Sequence, residues 1–363
     1  LKATPYAFGR ELLNASGLYR LTMPSIINEG FEGNAVAAPK RKRSDEAGEK
    51  QEHGQHDQQE QGQPSRIRVG GSLMPIVGFG TYLIADEDCE QPVTWALEAG
   101  YRHIDTAEFY ANHSAIGRAL KASGLPRESV FITDKVSPDG KFGAPPKSYD
   151  GVLQSIRNQL KKLDTPYVDL ILLHHPFPPS ADRVRQYTAL VDAQKAGLVK
   201  EIGVSNYSRR HIEELLAAGL PAPAANQIEL HPLNAYSKYQ PGLLEYLAEI
   251  SCVPIAYSSL APVSSWRAGQ PGQSSKTEAH CGHLAVQRRI ADKYGVEEPA
   301  LLLRWAVQHG YPVLPKSTDR GRIEANLAAP FAFEVEPEDM AALDALDAGL
   351  AFAWPVGNPM DAE

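Results

Sequence analysis

Asp105, Tyr110, Lys135 and His174 are the residues whose types and placement point most directly to chemistry. Each stands at or just beyond the end of a short apolar run: His103-Ile104-Asp105-Thr106-Ala107, Val130-Phe131-Ile132-Thr133-Asp134-Lys135 and Val168-Asp169-Leu170-Ile171-Leu172-Leu173-His174. Such runs read as buried strands that stop on a polar group. At the mouth of a parallel barrel the carboxyl ends of successive strands converge, so residues distant in sequence can form one site. A Tyr, a Lys, an Asp and a His gathered there suit proton transfer to a substrate oxygen. A free Tyr has a pKa near ~10, and a cationic Lys135 beside Tyr110 is expected to favour its phenolate and make it a better acid. Asp105 would hold Lys135 charged and oriented, and His174 would hydrogen-bond the substrate oxygen and fix it in place.

The elements that must position these groups are legible from Arg66 onward. Arg66-Ile67-Arg68-Val69, Gly70-Gly71 and Ser72-Leu73-Met74-Pro75 read as a hairpin with a Gly-Gly turn. Ile76 to Thr81 is the first strand, and the runs ending at Ala107, Val136 and His174 follow. Val199 to Asn206, Ala224 to Leu230, Val253 to Ser259 and Val313 to Ser317 complete eight. Between them lie segments of helical period, the clearest being Leu153, Ile156, Leu160 and Leu163 with Lys161 and Lys162 outward. Eight strand–helix units predict an α/β chain folded as a (β/α)8 TIM barrel, with the hairpin closing its bottom. The longest irregular insertion, Ala261 to Gly282, follows the seventh strand on the mouth side.

Over nearly all of residues 66 to 350 the chain resembles an aldo-keto reductase. The matching motifs are Met74-Pro75-Ile76-Val77-Gly78-Phe79-Gly80-Thr81, Gly100-Tyr101-Arg102-His103-Ile104-Asp105-Thr106-Ala107, Tyr110-Ala111-Asn112, Gly203-Val204-Ser205-Asn206, Asn226-Gln227-Ile228-Glu229-Leu230-His231-Pro232, Ala256-Tyr257-Ser258 and Pro315-Lys316-Ser317, in that order. The resemblance implies NAD(P)H-dependent reduction of an aldehyde or ketone to the alcohol, with a tetrad at Tyr110, Lys135, Asp105 and His174. It implies nicotinamide contacts at Ser205, Asn206, Gln227, Tyr257 and Ser258, and contacts to the 2'-phosphoadenosine at Lys316, Ser317, Arg322 and Asn326. Lys and Arg grip phosphate by charge and bidentate hydrogen bonds, which favours NADPH, with NADH use left open.

Three departures stand out. Asp319 occupies a position where relatives usually carry a neutral hydroxyl, and its carboxylate would repel the phosphate unless Arg320 offsets it. Ala325 replaces the family's Glu near the adenine. His174 is followed by His175 rather than by the common aromatic. Substrate contacts are expected at Tyr82, Phe109, His175 and Trp266, with Phe177, Phe352 and Trp354 completing an aromatic rim suited to ketones, aldehydes or cyclic diketones. The runs Leu260-Ala261-Pro262-Val263 and Leu173-His174-His175-Pro176-Phe177 are similar to those of fungal members that reduce ketopantoyl lactone and related conjugated diketones.

Other readings are weaker. Gly78-Phe79-Gly80 fails as a dinucleotide fingerprint, because the third glycine position holds Leu83 and no helix starts directly after it. His174-His175 and His280-Cys281-Gly282-His283 invite a metal, but neither has further ligands at suitable spacing, and no metal is expected. The chain has 363 residues with a net charge of −8, which argues against overall attraction to nucleic acid or an anionic membrane. No apolar stretch approaches the ~20 residues that cross a bilayer. Cys89, Cys252 and Cys281 are too few for a disulfide framework, so a reducing, cytoplasmic location is expected. Residues 1–65 form a polar, low-complexity segment expected to be disordered, ahead of a barrel over 66–363. Within it Pro39-Lys40-Arg41-Lys42-Arg43 resembles a nuclear-import patch, although such runs are common in solvated tails. The partner expected is a small carbonyl compound, and the resemblance implies a monomer. A second class of function stays open on that basic and glutamine-rich segment: a nicotinamide-binding regulatory or sensor subunit built on the same barrel.

Overall fold

The computed structural model describes residues 65–139, 144–264, 281–354 and 357–363, with no side-chain description at 281–283. All belong to one unit, Glu60–Glu363. The Lys40–Arg43 run, Trp266 and His280 lie outside the described residues.

Strands β1 (Arg66–Val69) and β2 (Ser72–Pro75) pair antiparallel, Val69 opposite Ser72. The turn needs glycine, since Gly70 sits at φ 58°. Seven parallel strands follow, each hydrogen-bonded to the next in chain order: β3 (Phe79–Gly80), β4 (His103–Asp105), β5 (Phe131–Val136), β6 (Val168–Leu173), β7 (Val199–Ser205), β8 (Ala225–Glu229) and β9 (Val253–Tyr257). The expected eighth strand is reduced to Val313, which bridges Ala256 on one side and Val77 on the other, so the ring of strands closes. The reduction has a covalent cause: Pro312 and Pro315 lack an N–H, and they serve the ladder only as acceptors, from Ala256 N at 2.7 Å and Gly80 N at 3.1 Å. The first strand is likewise shorter than Ile76 to Thr81.

Helices α1 (Asp86–Ala99), α2 (His113–Ser123), α3 (Tyr149–Leu163), α4 (Ser180–Lys195), α5 (Arg209–Ala217) and α6 (Leu243–Glu249) follow β3 to β8 in turn. After β9 come α7 (Cys281–Tyr294), α8 (Glu298–Gln308), α9 (Arg320–Ala328) and α10 (Pro337–Asp344). Of the predicted apolar stripe, α3 buries Ile156, Leu160 and Leu163, while Leu153 is only partly buried and Val152 takes the inward place; the helix is capped by Ser148, whose Oγ accepts from Gly151 N. Helix α5 is capped by Ser208, with His211 closing a capping box, so Ser205 and Asn206 are left for the mouth rather than spent on a cap.

Strand alternation divides the core in two. Ile104, Ile132, Ile171, Leu173 and Val204 point outward to the helices. Phe131, Leu170, Leu172, Ala225, Ile255 and Leu314 fill the interior together with Val69 and Met74 of the hairpin, which therefore plugs the amino end. Glu201 ties the plug to β7, accepting from Gly71 N at 3.0 Å and Ser72 Oγ at 2.8 Å. Gly78 and Gly80 serve close packing: a Cβ at Gly78 would lie 2.5 Å from the His103 ring, and one at Gly80 would lie 2.8 Å from Leu314 O.

Candidate active site

The same alternation that sends Phe131 and Leu170 into the plug sends the later residues of the strands into the mouth. Asp105 ends β4, Lys135 is next to last in β5, Ser205 ends β7, Gln227 lies mid-way along β8, and Tyr257 ends β9. They converge on a cavity of about 780 Å³ at the carboxyl end of the barrel. Asp105, Tyr110, His174, His175, Ser205, Asn206, Gln227, Tyr257, Ser258, Lys316, Tyr82 and Phe109 all line it. Lys135 lies beneath its floor.

There Lys135 Nζ donates to Asp105 Oδ1 at 2.6 Å and to Thr106 O at 2.9 Å, and the lysine is 1% exposed. The other Asp105 oxygen accepts from Gln227 Nε2 at 2.8 Å. The same ammonium sits 5.1 Å from the Tyr110 ring centroid. Tyr110 ends a 3-10 turn, Glu108–Tyr110, that is held from both sides. Ala111 takes a left-handed conformation, and Asn112 is buried, accepting from Thr106 Oγ1 at 2.8 Å and donating to Thr81 O and Ile84 O at 3.0 Å each. Glu108 accepts from Ser137 N at 3.0 Å and from Ser155 Oγ at 2.9 Å. Among the described residues the Tyr110 hydroxyl has no hydrogen-bond partner. The rings of Tyr82 and His174 stand 5.1 and 5.8 Å from that of Tyr110.

The net shift runs opposite to the better acid expected beside Lys135. Burial, reinforced by the Asp105 carboxylate, holds Tyr110 well above its ordinary pKa. Tyr110 is therefore a neutral, protonated phenol at rest. His174 is held well below the usual imidazole range by burial and by Lys135, so it is neutral too.

Along the wall, Ser205 Oγ donates to Gln227 O at 2.8 Å, Asn206 Nδ2 donates to His174 O and to Ser205 Oγ at 3.0 Å each, and Tyr257 OH donates to Asn206 Oδ1 at 2.6 Å. Asn206 and Ser258 adopt left-handed backbone, φ 62° and 53°. Gln227 Nε2 is committed to Asp105, while its Oε1 has no partner among the described residues. Lys316 carries this wall outward. Ser317, Arg322 and Asn326 are not part of the cavity lining. Arg322 Nε donates to Ser317 Oγ at 3.3 Å, and Asn326 lies one turn further along α9. Among the described residues neither Lys316 nor Arg322 is paired with a carboxylate. Arg320 does not offset Asp319; it pairs with Glu324 at 3.0 Å and Glu98 at 3.4 Å. The Asp319 carboxylate instead caps α9, accepting from Arg322 N at 2.9 Å.

The opposite wall is aromatic. His175 is buried, with Nε2 3.3 Å from Asp139 Oδ1, and its ring is 4.6 Å from that of Phe177 and 5.9 Å from Trp354. Trp354 donates from Nε1 to Tyr257 OH at 2.9 Å, joining the two walls. Sequence reasoning missed Asp139 and Asn112. Nothing distinguishes the first from an ordinary loop Asp-Gly, whereas the second lay in a motif already singled out, two residues after Tyr110.

Comparison with known proteins agrees with this geometry. The family description "Aldo/keto reductase family" matches residues 77–348. An aldo-keto reductase of Mycolicibacterium vanbaalenii is 35% identical over 289 residues, covering 80% of this chain and 94% of its own. The methylglyoxal reductase DkgB of Salmonella typhi is 36% identical over 291 residues, covering 77% and 99%. A Bombyx mori aldo-keto reductase solved in complex with NADP superposes with a TM-score of 0.69 at 30% identity, covering 80% of this chain and 94% of that one. With the barrel, its plug and the convergent mouth in place, the match over three quarters of the length shows that this chain belongs to the aldo/keto reductase family.

Proposed function

We propose that this protein reduces an aldehyde or ketone to the alcohol with NADPH, Tyr110 giving the proton to the carbonyl oxygen. The observation that carries the reading is the unpartnered hydroxyl of a protonated Tyr110, set above the buried Lys135–Asp105 pair and facing the cavity. The residues suit the cofactor. Gln227 offers an unpartnered Oε1 to a carboxamide N–H, and the Tyr257 ring offers a flat face. Lys316 and Arg322, which have no carboxylate partner among the described residues, offer two cations to a 2'-phosphate. Bound NADPH supplies the hydride.

The remaining work falls to the chain. His174, neutral, donates to or aligns the substrate oxygen beside Tyr110. As negative charge develops on that oxygen, the proton leaves Tyr110 Oη. The Lys135 ammonium, 5.1 Å from the ring centroid, stabilises the phenolate left behind, and Asp105 keeps the ammonium in place. The aromatic lining of Tyr82, Phe109 and Trp354, with Phe177 packed behind Trp354, suits apolar carbonyl compounds.

The test is titration of the purified protein with NADPH and NADH by tryptophan fluorescence. Oxidation of NADPH is then followed on adding methylglyoxal, aromatic aldehydes and a ketopantoyl lactone analogue. Tight NADPH binding with turnover supports the reading. Failure to bind either nucleotide overturns it, and binding without turnover of any carbonyl replaces it with a sensing role.

A further inference from the structure

Glu229 ends β8 two residues beyond Gln227, is 2% exposed, and is not among the residues that line the cavity. A carboxylate buried that deeply is costly unless donors surround it. Its donors come from the C-terminal segment. Oε1 accepts from Phe352 N at 2.7 Å and Oε2 from Ala353 N at 2.9 Å. His231 Nε2, 3.2 Å from Oε1, completes the set, and its ring stacks on Phe352 at 5.3 Å and 11°. The next residue along is Trp354, whose ring stands edge-on to Phe177 at 5.6 Å and to His174 at 6.4 Å, and whose Nε1 reaches Tyr257 OH.

The rest of the segment is held without Glu229. Asp347 Oδ2 accepts from Ser237 N and Oγ at 2.7 and 2.6 Å, and Leu350 N donates to Leu233 O at 2.9 Å. At the far end Arg183 Nη1 and His211 Nε2 each donate, at 2.9 Å, to Glu363 O and Ala362 O. Glu229 therefore acts on the short piece that carries Trp354.

We infer that Glu229 is a specificity-positioning residue, which clamps the backbone of Phe352 and Ala353 so that Trp354 forms the wall against which a bulky or aromatic carbonyl substrate packs. This rests on the carbonyl-reductase reading above. A small aldehyde has little surface to bury against that wall and should depend on the clamp far less.

The experiment compares the full chain with Glu229→Gln, which keeps size but turns one acceptor into a donor facing an amide N–H. KM for benzaldehyde should rise about fivefold, while kcat and KM for methylglyoxal stay within about twofold. Trp354→Ala should raise KM for benzaldehyde as well, and adding Glu229→Gln to it should change nothing further, since a residue that acts through Trp354 has no effect without it. Hydrogen exchange at the Phe352 and Ala353 amides should speed up in Glu229→Gln. Ala353→Pro, which removes one donor and leaves the strand untouched, carries the same expectation if Glu229→Gln fails to fold.

Equal effects on both aldehydes, additivity with Trp354→Ala, or unchanged exchange would overturn the inference. A wild-type chain that oxidises NADPH with neither aldehyde would defeat the reductase reading instead, and the exchange rates would then decide the clamp alone.

Discussion

Lys135 Nζ and Asp105 Oδ1 stand 2.6 Å apart, with side chains 1% and 5% exposed. At Tyr110 burial, and after it the Asp105 carboxylate, outweigh the ammonium and hold the phenol protonated. Any stabilisation of the phenolate by the lysine is one contribution to that same balance, outweighed at rest by burial and by Asp105. Removing one partner of the pair should be costly. Asp105→Asn leaves a buried ammonium with weaker partners, and breaking such a pair typically costs about 3–5 kcal/mol. Urea unfolding should show a midpoint well below wild type together with reduced kcat; an unchanged midpoint would mean that the pair is not buried in solution.

The shifts at the mouth predict a flat pH profile. Tyr110 is held well above its ordinary range by burial and His174 well below its own, so neither changes protonation between about pH 6 and 8. kcat/KM for an uncharged aldehyde should be level across that window. A break near pH 6.5 that disappears in His174→Gln would show that the imidazole titrates in the free enzyme.

Asp319 is both a helix cap and a negative charge beside the cations proposed for the 2'-phosphate. Asp319→Ser keeps an oxygen for Arg322 N and removes the charge, so the dissociation constant for NADPH should fall by about twofold to fivefold with little change for NADH. Arg322→Ala should act oppositely, weakening NADPH about tenfold and leaving NADH nearly alone. Fluorescence titration of both nucleotides separates these outcomes. Parallel changes for NADPH and NADH would place the phosphate elsewhere.

His103 links stability to acid. It is fully buried between hairpin and barrel, Nδ1 donating to Pro75 O at 3.3 Å and Nε2 accepting from Thr133 Oγ1 at 2.9 Å, and burial brings its pKa down to about 4. Unfolded, it titrates near ~6.5. The folded state therefore prefers the neutral ring, and the stability this contributes is present above about pH 6.5 and lost as pH falls toward 4. At pH 5 the loss is about 2 kcal/mol. Urea unfolding at pH 7 and pH 5 should show a decrement about 2 kcal/mol smaller in His103→Gln than in wild type, the other buried histidines contributing to both.

Strand order and the convergence of Asp105, Tyr110, Lys135 and His174 were legible because the apolar runs end on polar groups at the carboxyl ends of successive strands, Tyr110 and His174 following on the turn after β4 and just past β6. The eighth strand was legible as a position but not as a length, since Pro312 and Pro315 withhold the N–H groups a longer ladder needs. Whether Arg320 offsets Asp319 is a question that adjacency alone leaves open. On α9 it points instead to Glu324 one turn on, at the i,i+4 spacing that helices favour. The direction of the Tyr110 shift was hidden for a similar reason. Residue types reveal that a lysine is near, whereas only packing shows that burial and Asp105 outweigh it.

The most direct measurement is NADPH oxidation by wild type and Tyr110→Phe at saturating aldehyde, with NADPH affinity determined on the same samples. Loss of the proton donor should lower kcat by about 10²- to 10⁴-fold while the NADPH dissociation constant stays within about twofold. Turnover by Tyr110→Phe within tenfold of wild type would contradict the account, because the proton would then come from another group.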